Sequence, residues 1–113
     1  MKYVSALLLV VPAASQLYSD AAFDVRNTTN VVYAQGTTCA NRRDNSSCTA
    51  MDLKLDVYQP VGRKDGAPVP ALKPAYILMH GGANSAGDKN ESCMQGSAGY
   101  FASRGFVSFN INY

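Results

Sequence analysis

The stretch Tyr76-Ile-Leu-Met-His-Gly-Gly-Ala-Asn-Ser-Ala-Gly-Asp88 limits the folds open to this chain more than any other. A short apolar run, Tyr76 to Met79, breaks off at His80-Gly81-Gly82 and gives way to small residues. An apolar run of that length, closed by glycine, reads as a buried strand rather than a helix. Two glycines at a strand's exit let the backbone turn sharply and present its N–H groups. N–H groups beside a helix start can hold an anion, so the turn has the makings of an oxyanion hole.

The flanking segments supply the rest of the architecture. Met51, Leu53, Leu55 and Val57 alternate with Asp52, Lys54, Asp56 and Tyr58. A period of two predicts a strand with one buried and one wet face, ended by Pro60. Asp52 and Asp56 then fall on the wet face as solvated charges, not as a catalytic carboxylate pair. A weaker strand signal lies at Asn30-Val-Val-Tyr-Ala34. Val61 to Pro74 holds two glycines and three prolines and reads as an exposed connection. A helix is predicted from about Glu91 or Ser97 to Arg104, with Tyr100 and Phe101 facing inward and Gly105 as the left-handed cap. Phe106 to Tyr113 forms another apolar strand. Strand, glycine-rich loop, helix and strand make a βαβ unit, so the expected fold class is α/β, with the alternating strand added antiparallel. The Tyr76 strand, lacking polar alternation, is expected to be covered on both faces.

At 113 residues the chain is one domain at most. Its net charge of +2 and scattered Lys and Arg give no reason to expect a nucleic-acid or membrane partner. Only Arg42-Arg43 are adjacent, with no interleaved aromatics. The N-terminus has the order of a secretory signal: Lys2, an apolar core from Val4 to Val11, then Pro12-Ala-Ala-Ser15. Residues 1–15 are therefore assigned as a signal peptide, cleaved between Ala13 and Gln16. A buried N-terminal strand is the competing reading. The apolar core is shorter than the roughly 20 residues of a membrane span.

Cys39 and Cys48 flank a polar loop and are expected to form a disulfide in an oxidising compartment, within an N-terminal segment 16–50. Cys93 is the odd cysteine. With no C-x-x-C and one His, no metal site is expected, and no cofactor is called for. Asn27, Asn45 and Asn90 each begin an N-glycosylation sequon. Gly82 to Lys89 partly matches a phosphate-binding loop, but Asp88 stands where the loop's Lys must be, and Lys89 is followed by Asn90 in place of a hydroxyl residue.

Four segments in order carry a family resemblance: Leu55-Asp-Val-Tyr-Gln-Pro60, Pro74-Ala-Tyr-Ile-Leu-Met-His-Gly-Gly82, Tyr100-Phe-Ala-Ser-Arg-Gly-Phe-Val107 and Asn110-Ile-Asn-Tyr113. Over Met51 to Tyr113 the chain resembles the N-terminal part of a secreted α/β-hydrolase, of the carboxylesterase and lipase type with a His-Gly-Gly loop, including feruloyl- and acetyl-xylan-esterase-like enzymes. The resemblance implies a partial hydrolase domain over 51–113 and a serine-type ester hydrolase acting on a small ester. It also implies that the N–H groups of Gly82 and Ala83 serve the oxyanion hole, with His80 and Gly81 organising the turn. In such enzymes the nucleophile sits on a later G-x-S-x-G elbow, followed by the acid and the His. The nearest match here, Gln95-Gly-Ser-Ala-Gly99, lacks the first glycine and a preceding strand, so Ser97 reads as a helix N-cap. Ser85 has no base beyond His80 on the same turn, and Cys93 lacks a His partner. The resemblance thus implies an N-terminal fragment, inactive alone, with a sheet edge open to self-association. The alternative is a non-catalytic secreted binding protein or a remnant without function.

Overall fold

A computed structural model describes residues 18–41, 46–82 and 86–113. The signal peptide, Arg42-Arg43, Asn45, Ala83 and Ser85 lie outside the described residues. The elements run β1 (Phe23–Asn41), β2 (Ser46–Arg63), β3 (Ala75–Met79), α1 (Ser92–Ala102) and β4 (Val107–Ile111). They build one mixed sheet in the order β1-β2-β4-β3. β1 and β2 are antiparallel, as are β2 and β4, whereas β3 and β4 run parallel with α1 between them in sequence.

The α/β expectation is corrected here. Among the described residues, strands hold 52% and the helix 12%, and two long hairpin strands dominate the sheet. The physical reason lies in the hairpin. β1 and β2 are 19 and 18 residues long, about 60 Å at the rise of a strand. The Asn30–Ala34 signal is only the middle of β1. The cysteine region continues both strands, with Cys39 directly opposite Cys48 and bonded to it.

Pro60 does not end β2, which continues to Arg63. Pairing with β4 covers only Leu55 to Tyr58, so at Pro60 the strand has β1 alone as a neighbour. The register also shifts between Asp24 and Val25, opposite Pro60 and Gly62. A bulge beside a one-sided stretch is where a strand tolerates a residue without an N–H.

α1 contains no charged residue and two glycines, so its intrinsic propensity is low. Packing holds it: Ala98 and Ala102 are fully buried and cluster with Tyr58 and Leu78 of the sheet, with Met94 at the margin. The helix begins after Glu91, which places Ser97 mid-helix instead of at the N-cap. Its end is closed as expected by Gly105 at φ 101°. The Gly105 N–H donates to Ala102 O and the Phe106 N–H to Phe101 O, the two bonds of a Schellman turn. Phe101 stacks on Tyr76 at 3.9 Å and meets Phe106 edge-on. Tyr100 points outward, 54% exposed, under the Arg104 guanidinium.

Only one face of the β2-β4-β3 region is covered by α1. Paired residues of adjacent strands share a face, so Asp56, Tyr58, Ser108, Asn110, Tyr76 and Leu78 lie together on the α1 side. The opposite face carries Val57, Phe109, Ile77 and Met79. Ile77 and Met79 are 63% and 60% exposed, so β3 is neither covered on both faces nor flanked on both edges among the described residues.

Two substitutions test this packing. Ala98→Leu should cost about 1–3 kcal/mol through overpacking against Tyr58 and Leu78. Gly105→Ala combines a left-handed backbone with a Cβ 3.0 Å from the Phe23 ring and should cost about 1–2 kcal/mol. Urea unfolding with unchanged midpoints for both variants would refute the described contacts.

Candidate functional site

β3 ends at Met79, and the chain turns through His80, Gly81 and Gly82 at the sheet's end. Gly82 is exposed and adopts φ 116°; a Cβ there would lie 1.9 Å from the Ala86 carbonyl oxygen. Gly87, at φ 94°, returns so closely that a Cβ would meet Gly81 O at 2.4 Å and His80 Nδ1 at 2.5 Å. Side chains cannot be placed at either position without moving the turn. The Ala86 N–H donates to Gly82 O at 3.1 Å across the loop.

His80 is buried and holds this turn. Its Nδ1 donates to Gly81 O at 2.8 Å, because a carbonyl can only accept. The ring stacks on Tyr113 with centroids 4.6 Å apart, and the Tyr113 hydroxyl donates to His80 O at 2.8 Å. Nε2 has no hydrogen-bond partner among the described residues. His80 is the single histidine of the chain, and no Ser or Cys among the described residues bonds to it. Cys93 is exposed on α1, its thiol 3.9 Å from Glu91. Ser97 lies in the middle of α1, on another element from His80.

The far side of the loop is anchored by a buried ion pair that the period-two pattern hid. Asp56 is not on a wet face: its side chain is 1% exposed and its Oδ1 lies 2.9 Å from Lys89 Nζ, itself 3% exposed. Asp56 also accepts the Asn30 N–H at 2.9 Å. Asn30 is in the left-handed region, φ 57°, at a register shift of β1 between Thr28 and Val31. Asp52, by contrast, is exposed as expected and accepts from Gln35. Lys89 is fixed at its backbone as well: its N–H donates to Asn112 Oδ1 at 2.7 Å and its carbonyl accepts from Asn110 Nδ2 at 2.6 Å. The sequence does hold a signal for this arrangement. Ser108, Asn110 and Asn112 alternate with Phe109 and Ile111, so β4 has a polar face, and that face is the covered one.

Asp88 closes the turn before Lys89. It accepts the Asn90 N–H at 2.7 Å and the Asn112 amide at 3.3 Å. The Asn90 N–H bond holds its carboxyl below the ordinary value of 3.8, with burial pulling the other way and Asn112 and Lys89 adding to the depression. Burial and the neighbouring Asp56 charge push the Tyr58 hydroxyl up, against a bond from Asn27. Of the glycosylation sequons, Asn27 sits exposed in β1, and Asn90 is exposed with its Oδ1 accepting from Lys89 Nζ. No group of three or more potential metal ligands occurs among the described residues, and no helix among them is long and apolar enough to cross a membrane.

Two measurements check the loop. A carboxyl whose folded pKa is depressed contributes stability that is present above the unfolded value and lost as pH falls through the folded one. The Asn90 amide resonance should therefore titrate with a midpoint below 3.8, and a midpoint at or above that value would contradict the Asp88 turn. Lys89→Met leaves the Asp56 carboxylate buried without its cation and should cost about 3–5 kcal/mol in urea unfolding.

Comparison with known protein families, with curated proteins and with solved structures finds no match to this chain.

Proposed function

We propose that the His80–Gly82 turn receives the oxyanion of a secreted, serine-type carboxylic ester hydrolase, with nucleophile, acid and base supplied from outside the described residues. The supporting observation is Gly82 itself: exposed at the exit of β3, at φ 116°, in a turn where Ala86 O excludes any Cβ. A glycine's backbone N–H can approach a small anion without a side chain of its own intervening. In the reaction, a serine oxygen adds to the ester carbonyl and the carbonyl electron pair moves onto oxygen. The alkoxide then leaves with a proton, and water repeats the addition on the acyl-enzyme. The turn would donate to the transient O⁻, a contribution worth about 2.7–4 kcal/mol per donor. Ala83 is the second proposed donor. The disulfide between Cys39 and Cys48 fits an oxidising compartment, in keeping with secretion and with glycans at the sequons.

A second reading, a carboxylate- or ester-binding protein without turnover, is favoured by one feature. The sole histidine is buried and stacked on Tyr113, and no Ser or Cys among the described residues reaches its Nε2, so it has no hydroxyl or thiol there to deprotonate.

The 113-residue chain alone should not hydrolyse a short p-nitrophenyl ester; hydrolysis blocked by a fluorophosphonate would overturn the assignment of the nucleophile to another segment. Titrating the ¹⁵N-labelled chain with a methylphosphonate monoester should shift the Gly82 amide selectively. If Gly82 stays still, the oxyanion role fails. Transcript sequence beyond the Tyr113 codon separates the two readings. A G-x-S-x-G elbow in the continued frame supports hydrolysis, and a stop codon there supports binding without turnover.

A further inference from the structure

We propose that Lys89, acting through the Asp56 carboxylate, is the positioning residue of the Ala86–Asn90 segment, and through the Ala86 N–H bond to Gly82 O sets where the Gly82 backbone points. The inference rests on the oxyanion reading for its functional meaning, but its structural content stands on separate contacts. The loop leaves the sheet at His80 and returns at Lys89. At the exit it is held by His80 stacking on Tyr113 and by the Tyr113 hydroxyl on His80 O. At the return it is held three times through one residue: Lys89 Nζ on Asp56, Lys89 N–H on Asn112 and Lys89 O on Asn110. Between these anchors, the cross-loop bond from the Ala86 N–H to Gly82 O fixes the segment that carries Gly82.

The ionic contact differs in kind from the other two. A lysine side chain is almost never fully buried unless paired, and Asp56 is the carboxylate that compensates it. Asp56 in turn depends on β1, because it also accepts the N–H of Asn30 at the β1 register shift. The position of the loop is thereby referred to β2 and β1, which Gly82 does not touch in sequence. Displacing Lys89 would free the return anchor and with it the Ala86 N–H bond to Gly82 O, while the pairing of β2 with β4 has its own backbone bonds.

The test compares the wild-type chain with Asp56→Asn/Lys89→Met, which removes both charges together. Replacing a buried pair by uncharged groups of similar volume is frequently neutral for stability, whereas removing one charge is not. Hydrogen exchange is read at Ala86 and Lys89 in the loop, and at Val57 and Phe109 in the sheet. We expect loop protection to fall by about tenfold or more while sheet protection is retained, as in local opening. Loop protection equal to wild type overturns the proposal. Equal losses in loop and sheet also overturn it, since they would make the pair a global stabiliser only. If the double variant fails to fold, Asn112→Ala with Lys89 and Asp56 intact supplies the decision. Protection at Ala86 must then persist through the ion pair, and its loss refutes the positioning role. The phosphonate titration of Gly82 reports separately on the oxyanion reading, so that reading can fail while exchange still shows the ionic anchor.

Discussion

Most of what is ordered around the loop converges on the Asp56 carboxylate. It accepts the Asn30 N–H from β1 and pairs with Lys89 from the loop, while sitting in β2 directly opposite Asn110 of β4. A carboxylate this far from water is unfavourable unless each charge and lone pair finds a partner. The surrounding residues are arranged accordingly. Asn30 takes a left-handed backbone to aim its N–H, and Asn110 and Asn112 fix the backbone on either side of the cation. Apolar burial alone would not specify the loop, because the helix-covered face of β4 is Ser and Asn and not Val and Ile.

That inversion also explains what could be read from the residues and what could not. The β3 strand, the β4 strand, the Gly105 cap and the Cys39–Cys48 bond follow from local signals: an apolar run closed by glycine, a left-handed stop, and two cysteines across a turn. The α/β class did not survive, because the length of the hairpin is written in no periodic apolar pattern. Polar residues between Asn27 and Asn41 pair with β2 across two register shifts despite their composition. Period two correctly indicated a strand at Met51 to Tyr58 but assigned its faces by hydrophobicity. Tertiary context reversed them at Asp56 and Tyr58, since α1 packs on that side with alanines small enough to leave room for a polar layer.

The candidate site was half legible. Gly82 at the strand exit and His80 as an organiser of the turn are local features, and the conformation at Gly82 agrees with the need for glycine there. The anchors are not local. Lys89 and Asp56 are separated by more than thirty residues in sequence, and nothing in either neighbourhood marks a buried charge. A cation next to two potential acceptors, Asp88 and Asn90, reads as part of a solvated loop until the sheet brings Asp56 beneath it.

The strand order has a consequence for the time course of assembly. β4 lies between β2 and β3 in space, although it follows both in sequence. During synthesis the long hairpin can zip from its Cys39–Cys48 end with contacts close in sequence. β3, however, has no neighbour to pair with until Val107 to Ile111 have emerged. For that interval Tyr76 to Met79 is an apolar strand with both edges open, in a chain whose synthesis takes roughly a tenth of a second per residue. The vulnerable window of this protein is thus set by the delay between making β3 and making β4, and the α1 segment determines how long it lasts.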